Sequence, residues 1–309
     1  MTASNLSAPY LHDEEAAYAF LEGVLWPDGP TCPHCGGVDR ITKVKANPEK
    51  RIRLGLHRCG DCKKQFTVKV GTVFEASKVK LHLWLQAVVL MTSSKEGISA
   101  HQLHRVLGVT YKTAWFMAHR IREAMRSGDL APFGGNGGAV EAFETFIGRE
   151  PGIPKGRAFH HKMKVLSLVD RETGRARSLV VDDLKRDTVE KFVGENVARE
   201  ASLMTDEAWF YGRIGKEFAD HQSVAHQKKE YVRGEAHTNT IEGYFSIFKR
   251  GMKGVYQHCG KRHLHRYVAE FEFRYNHRSA LGVEDHARGN AALKGAMGKR
   301  LLYRDSLGA

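Results

Sequence analysis

Two pairs of cysteines constrain the fold of this chain more than any other feature of its sequence. The motif "CPHC" holds Cys32 and Cys35, and "CGDC" holds Cys59 and Cys62. Both motifs have the CxxC spacing, and the distance between them is that of four-cysteine zinc ribbons. Four thiolates complete a tetrahedral site and leave no open position, so we expect a structural Zn²⁺ that stabilises a small β unit. Buried or redox-active cysteines are the alternative.

The charge of the chain indicates the class of its partner. Its 309 residues carry a formal net charge of +13, with a pI near 9.5. Such an excess of Lys and Arg is the electrostatic signature of a nucleic-acid-binding protein. The sequence contains no apolar run as long as a membrane span, and its first residues do not have the order of a secretory signal. We therefore expect a cytoplasmic, nucleoid-associated protein with no membrane partner.

The order of the predicted elements indicates a multidomain chain of the α+β and α/β classes. Strands expected at 140–147, 163–169 and 176–181, followed by a helix at 186–200, predict an α/β domain with a mixed sheet. We expect a zinc ribbon at 13–76, a helical helix-turn-helix region at 78–130, a glycine-rich linker at 131–138, the mixed α/β domain at 139–280 and a C-terminal tail at 281–309.

The stretch "ISAHQLHRVLGVTYKTAWFMAHRI" predicts a helix-turn-helix. Ser99 can cap the first helix, Gly108 supplies the tight turn and Thr110 opens the second helix. The residues expected to face inward are Leu103, Val106 and Leu107. The residues of the second helix expected to face DNA are Tyr111, Lys112, His119 and Arg120. A helical hairpin that serves packing alone is the competing interpretation.

Carboxylates at two places in the α/β domain are candidates for a catalytic site. Asp206 ends the apolar run "SLMTD", where a strand would reach the functional edge of the sheet. Glu242 lies in "HTNTIEGYFSIFKRG", with Lys249 two helical turns later on the same face and Asn239 one turn earlier. Ordinary structural roles compete with this interpretation, because "NTIE" is also a helix-start signature in which Asn239 caps the helix.

Taken together, these motifs resemble those of bacterial insertion-sequence transposases with an N-terminal zinc ribbon and a DDE catalytic domain, of the insertion-sequence family 1595 type. The resemblance rests on the cysteine pairs, the helix-turn-helix and four stretches of the C-terminal half, and it runs from about residue 13 to Arg278. The four stretches are "VEA-ETFIG", "TDE", "HTNTIEGYFSIFKRGMKGVYQH" and "RYVAEFEFRYNHR".

The resemblance implies an RNase H-like catalytic domain that binds Mg²⁺ or Mn²⁺ through acidic residues and cleaves and joins DNA strands. It implies that Asp206 is the second acid and Glu242 the third, with Lys249 and Arg250 contacting DNA. Asn239 is a secondary candidate, because some members of the group use a third residue that is not acidic. The implied partners are the terminal inverted repeats and the target DNA, bound by a homo-oligomer.

The first acid of the family pattern is missing. The family has an Asp between Ala142 and Glu144, where this chain has Phe143. A phenyl ring offers no oxygen to a metal ion. Glu144 points to the opposite face of the strand, and Glu141 is displaced along it by roughly 6 to 7 Å.

These observations favour a DNA transposase that cleaves and transfers strands. A transposase-derived protein that binds DNA with impaired catalysis is the alternative, motivated by Phe143. A zinc-ribbon protein that binds RNA is a weaker possibility, because it gives the C-terminal half of the chain no role.

Overall fold

The chain folds into two compact units. The structure is a computed structural model that describes residues 5–128, 131–156 and 159–302. One unit combines Met1–Arg126 with Val283–Ala309, and the other is Ser127–Gly282. The described part of the chain contains no helix that is long and apolar enough to cross a membrane.

The first unit begins with a helix and a small antiparallel sheet. Asp13 caps the helix, since its carboxylate accepts a 2.7 Å hydrogen bond from the N–H of Ala16. Cys32, Cys59 and Phe66 are buried together and form the centre of this small β unit. The elements are α1 (Glu14–Leu25), β1 (Ile41–Lys43), β2 (His57–Cys59) and β3 (Gln65–Phe66), with β2 between the other two strands.

Four helices complete the first unit, and two of them form the predicted helix-turn-helix. Ser99 accepts a hydrogen bond from the N–H of Gln102, Gly108 adopts φ +64°, and Thr110 accepts a hydrogen bond from the N–H of Thr113. The two caps and the turn are therefore confirmed. The helices are α2 (Leu81–Ser93), α3 (Ala100–Leu107), α4 (Tyr111–Met125) and α9 (Asp285–Lys294).

The predictions for Val106 and for the segment after Gly282 are wrong. Val106 is 55% exposed, although Leu103 and Leu107 are buried as expected, because the apolar stripe of the short helix α3 includes only the latter two residues. The segment after Gly282 is not merely a tail. It forms helix α9, which packs against α1, α2 and α4 within the first unit and buries Leu293.

The second unit is built on a five-stranded mixed sheet with the strand order β6-β5-β4-β7-β8. The strands are β4 (Ala139–Ile147), β5 (Met163–Asp170), β6 (Ala176–Val181), β7 (Ser202–Asp206) and β8 (Asp220–Val224). Strands β4, β5 and β6 pair antiparallel, whereas β7 pairs parallel with both β4 and β8. The three predicted strands are confirmed, and so is the mixed α/β sheet expected of the catalytic domain.

Helices cover both faces of this sheet and bury two apolar cores. One face is covered by α5 (Arg186–Asn196) and α6 (Tyr211–Ile214), and the other by α7 (Asn239–Gly251) and α8 (Lys261–Asn276). Val140 and Ala142 of β4 pack on the first face, whereas Phe143 and Ile147 pack on the second. This alternation follows from the two-residue period of a strand. A short hairpin of β9 (Val232–Arg233) and β10 (Ala236–His237) precedes α7.

Candidate active site

The four paired cysteines form a site with the dimensions of a zinc centre. Their Sγ atoms all lie within 4.8 Å of one another. The Sγ atoms of Cys32 and Cys62 are 3.7 Å apart, and those of Cys35 and Cys59 are 3.6 Å apart. Sulfurs at the corners of a tetrahedron with Zn–S bonds of about 2.3 Å are separated by about 3.8 Å. The cluster therefore fits a structural zinc ion.

Backbone turns bring the two cysteine pairs together. The N–H of Cys32 donates to the carbonyl of Gly37, and the carbonyl of Cys32 accepts from the N–H of Gly36, each at 2.9 Å. At the second pair, the N–H of Cys59 donates to the carbonyl of Lys64 at 3.0 Å. These bonds close a tight loop after each leading cysteine, so both members of each pair point to one place.

The second helix of the helix-turn-helix exposes its first turn alone. Tyr111 is 42% exposed, and Lys112 is exposed beside it, next to the cap residue Thr110. The prediction that His119 and Arg120 face outward is wrong, because their side chains are buried in the first unit.

The burial of Arg120 has a clear physical cause. Its guanidinium donates to the backbone carbonyl of Leu301 at 3.1 Å and to that of Glu75 at 2.7 Å. The ring of Phe116 lies 5.1 Å from the same guanidinium. The C-terminal segment and the region after the ribbon therefore cover the second half of α4, and Arg120 connects the three.

In the second unit, strand register places Phe143 beside Asp206. Glu141 of β4 pairs with Met204 of the parallel strand β7. Two residues further along each strand stand Phe143 and Asp206, which therefore share a level and a face of the sheet. The ring of Phe143 also packs on Phe245 of α7, with their centroids 6.1 Å apart. The position expected for the first acid is thus next to Asp206, and a phenyl ring occupies it.

Glu141, the neighbouring acid on that face, has both carboxylate oxygens engaged in hydrogen bonds within the protein. It is completely buried, and its Oε1 atom accepts a hydrogen bond of 2.7 Å from Arg171. Its Oε2 atom accepts a 2.9 Å hydrogen bond from the backbone N–H of Ile241 in the first turn of α7. Arg171 also donates to the carbonyls of Glu235 and His237, just before α7. Glu141 therefore fixes the start of the helix that carries Glu242.

Another acid, Glu207, fixes the loop after β8. Its Oε2 accepts a hydrogen bond of 2.7 Å from the N–H of His226, and its Oε1 accepts one of 2.9 Å from the N–H of Gln227. Burial alone would raise the pKa of Glu207, but these backbone donors and the nearby His226 outweigh it and the pKa is lowered. The residue after Asp206 thus anchors the loop that carries His226.

His226 lies at the centre of the candidate site. Its ring centroid is 5.9 Å from that of Phe143, and its Nε2 atom is 3.5 Å from the carboxylate of Glu242. The Thr238 hydroxyl donates a 2.8 Å hydrogen bond to the same carboxylate. Thr238 is the N-cap residue of α7, so the expectation that Asn239 caps this helix is wrong; Asn239 is its exposed first residue.

Asp206, at the end of β7, and Glu144 of the neighbouring strand β4 lie in a partly desolvated, negatively charged environment. Burial raises the pKa of Asp206, although the N–H of Ala208, which donates to Oδ1 at 3.0 Å, acts in the opposite direction. Burial, followed by the charge of Asp206, raises the pKa of Glu144 to about 7. The hydroxyl of Tyr211 donates a long, 3.5 Å hydrogen bond to Glu144. A cation near Asp206 would relieve this repulsion.

Lys249 lies two turns after Glu242 on α7, as expected, within a group of cations. Burial lowers its pKa first, and the charges of Lys253 and Lys162 lower it further. Arg250 is exposed beside it. Lys162, Lys249 and Lys253 thus form a local group of positive charges, and a nearby anion would offset their mutual repulsion.

The side chains around Asp206 offer few ligands for the divalent cation expected at this site. Asp206 and Glu242 are the two acids that the resemblance assigns to this cation, and Phe143, at the remaining position, offers no ligand atom. Apart from the cysteines, the described residues contain no group of three His, Cys, Asp or Glu side chains with ligand atoms within 4.8 Å of one another. The side chains present therefore offer a cation at most two of the three carboxylates that the resemblance implies.

Sequence reasoning missed Glu207 and His226. His226 follows β8, a strand that the sequence analysis did not predict because "DHQSV" is too polar to resemble a core strand. Its burial pattern is intermediate at four of five positions, as expected of an edge strand. The adjacent acid in "TDE" was a signal for Glu207, but nothing in the sequence indicated that it binds the loop at His226.

One solved structure resembles the chain weakly. It is the cryo-electron-microscopy structure of the simian T-cell lymphotropic virus intasome in complex with PP2A regulatory subunit B56 gamma. The match has 11% identity and a TM-score of 0.28. It covers 61% of this chain and 64% of the viral chain, which is less than two thirds of the latter. A likeness at this level carries no argument about function.

Sequence comparisons identify the family. Residues 136–276 match the family described as ISXO2-like transposase domain, and residues 12–65 match the transposase zinc-ribbon domain; both belong to the IS1595 group. A protein described as "uncharacterized protein in transposable element ISH50" of Halobacterium salinarum is 28% identical over 283 residues, which is 84% of this chain and 90% of the relative. The two family matches together cover well over half of the sequence. The chain therefore belongs to the IS1595-type insertion-sequence transposases.

Proposed function

We propose that this transposase binds the terminal inverted repeats of its element as duplex DNA and catalyses strand cleavage and transfer with Mg²⁺ or Mn²⁺, acting as a homo-oligomer. The observation that carries the proposal is the register of β4 and β7. It places Asp206, the last residue of β7, beside the family's first-acid position on β4. Glu242 is joined to this place through His226, which contacts both Phe143 and the Glu242 carboxylate.

The residues of the site have distinct proposed roles. Asp206 and Glu242 would hold a divalent cation, with Asn239 as the neutral alternative to Glu242. When bound, such a cation polarises the scissile phosphate and activates the attacking oxygen. Lys249 and the exposed Arg250 bind phosphates of the DNA backbone. His226 orients the carboxylate of Glu242.

The helix-turn-helix supplies a second DNA contact in this proposal. Thr110, Tyr111 and Lys112 open α4 and face solvent. An aromatic ring, a hydroxyl and an amine at the start of a recognition helix suit phosphate and base-edge contacts. Since α4 buries its second half, recognition depends on this first turn and not on His119 or Arg120.

Cleavage of DNA that carries the ends of the element tests the proposal. We expect nicking that requires Mg²⁺ or Mn²⁺ and is lost in Asp206→Asn and Glu242→Gln, while Glu217→Gln, at an exposed ion pair with Arg199, keeps the parental rate. Asn239→Ala decides between the two candidates for the third residue: it should nick DNA at the parental rate if Glu242 is that residue and lose nicking if Asn239 is.

Two results would count against the proposal. One is undiminished nicking by Asp206→Asn. The other is no nicking by folded, DNA-bound protein, which would support the impaired alternative that the comparisons do not favour.

A further inference from the structure

Trp209 is the most exposed large apolar side chain among the described residues of the second unit, and it stands three residues after Asp206. It is 67% exposed, whereas the next two residues, Phe210 and Tyr211, are 4% and 1% exposed. An indole in water forgoes the stabilisation that burial would give it, about 2 kcal/mol or more for a large apolar side chain. Trp209 is therefore available to a ligand in the folded protein.

The turn that presents Trp209 is the turn that fixes Asp206. The Asp206 carboxylate accepts a hydrogen bond from the N–H of Ala208, and the carbonyl of Ala208 accepts one from the N–H of Tyr211, both at 3.0 Å. Three residues span at most about 11 Å. A group bound on the indole would thus lie within a nucleotide or two of a phosphate held at Asp206.

The side chain of an arginine already lies over one face of the indole. The guanidinium carbon of Arg186, the first residue of α5, lies 5.3 Å from the Trp209 ring centroid. The Nε atom of Arg186 is buried and has no hydrogen-bond partner among the residues that the structure describes. A guanidinium binds phosphate oxygens through two parallel hydrogen bonds. A guanidinium held against an exposed indole suits one ligand that has both an aromatic ring and a phosphate.

We propose that Trp209 and Arg186 hold an unstacked nucleotide of the DNA next to the cleavage site, with its base on the open face of the indole and its phosphate on the guanidinium. This inference rests on the proposed function and adds to it a residue pair that positions the substrate. Stacking of a base on an aromatic side chain tolerates any base sequence. A displaced base would also allow the neighbouring phosphate to approach Asp206 without the steric hindrance of a regular duplex.

Binding measurements on uncleaved DNA test the inference separately from catalysis. Two DNA duplexes with the element's end and its flank are compared in Ca²⁺, one fully paired and one with a mismatch next to the cleavage site. An unpaired base is less costly to unstack, so the parental protein is expected to bind the mismatched duplex more tightly. Loss of base–aromatic stacking costs about 1–3 kcal/mol, equivalent to about 5-fold to over 100-fold in affinity. Trp209→Ala should therefore lose the preference, and Trp209→Phe should keep most of it.

Matched variants separate stacking from other effects. Arg186→Ala should weaken binding of both duplexes and reduce the preference, while Phe159→Ala, which removes another exposed aromatic ring of this unit, should leave the preference unchanged. An abasic site at the mismatched position should make Trp209→Ala and the parental protein bind alike.

The inference is overturned if Trp209→Ala keeps the preference for the mismatch, or if its sole effect is a lower oligomeric state in sedimentation, which would assign the indole to a protein contact. Parental protein that binds and cleaves DNA without any preference would also overturn it and leave the proposed function standing. Parental protein that binds neither duplex would overturn both.

Discussion

The carboxylate of Glu141 accepts a hydrogen bond of 2.9 Å from the backbone N–H of Ile241, which joins the central strand β4 to the first turn of α7 across 100 residues of sequence. The same carboxylate is paired with Arg171 and has no exposed surface. Because α7 carries Glu242 and Lys249, this buried acid fixes the start of the helix on which the proposed third acid lies.

Replacement of Glu141 by Ala should destabilise the second unit strongly. Removing one partner of a buried ion pair typically costs about 3–5 kcal/mol, and the N–H of Ile241 would lose its acceptor too. Urea unfolding should show the loss, and hydrogen exchange should rise in the first turn of α7 more than in α8. Glu217→Ala, at an exposed ion pair, should cost less than about 1 kcal/mol. Equal effects of the two variants would refute the anchoring role.

Glu272 should make the stability of the second unit depend on pH. Burial raises its pKa to about 7, although the N–H of Ser178, which donates at 2.7 Å, acts against this. An unfolded Glu titrates near 4.3, so between these values the folded state holds a proton that the unfolded state has released. The stabilisation is therefore fully present below about pH 4.3 and is lost as pH rises through 7, by about 4 kcal/mol in all.

The measurement is urea unfolding at pH 5 and pH 8. Glu272→Gln cannot titrate and keeps an acceptor for Ser178, so its stability relative to the parent should increase with pH. Glu217→Gln serves as the control, with a difference that changes little. A parent and a Glu272→Gln variant with parallel pH profiles would show that the carboxyl titrates normally.

Zinc content tests the cysteine cluster directly. Elemental analysis of purified protein should give one zinc ion per chain, and Cys59→Ser should abolish it, because Cys59 is a completely buried member of the cluster. Cys259→Ser is the matched control and should retain the metal. A chelator should unfold the ribbon, since zinc binding supplies most of the folding free energy of such small units, on the order of 10 kcal/mol. Equal zinc in Cys59→Ser and Cys259→Ser would contradict the assignment.

The two halves of α4 should respond differently to mutation. Lys112→Ala should weaken DNA binding and reduce the slope of log affinity against log salt by about 1, as expected for a lost phosphate contact. Arg120→Ala should lower thermal stability, by about 2 kcal/mol at the unfolding midpoint, because it removes charged hydrogen bonds to Glu75 and Leu301. An unchanged salt slope in Lys112→Ala would remove this helix from the DNA interface.

Local signals in the sequence were sufficient for much of this architecture. Ser99, Gly108 and Thr110 act within a few residues of themselves, so their patterns predict the caps and the turn. The cysteine spacing predicts the ribbon for the same reason, because each loop closes within its own pair.

Contacts between distant segments were not predictable from these patterns. Arg120 has the composition of a DNA-facing residue, yet it is covered by a segment that begins more than 150 residues later. The partners of Glu141, at Arg171 and Ile241, are 30 and 100 residues away in the sequence. A pattern of residue types shows which side chains suit a role, but only the packing of distant elements decides which of them remain accessible.

The most direct measurement of the central claim, that Phe143 occupies the position of the first metal-binding acid beside Asp206, is the rate of metal-dependent cleavage by Phe143→Asp and Phe143→Asn. These variants have nearly the same shape and lose the same packing on Phe245, but Asp alone offers a carboxylate. We predict that Phe143→Asp cleaves DNA at least about tenfold faster than the parent and Phe143→Asn, since a bound metal ion supplies several kcal/mol of transition-state stabilisation. Equal rates for the two variants, both folded and bound to DNA, would contradict the account.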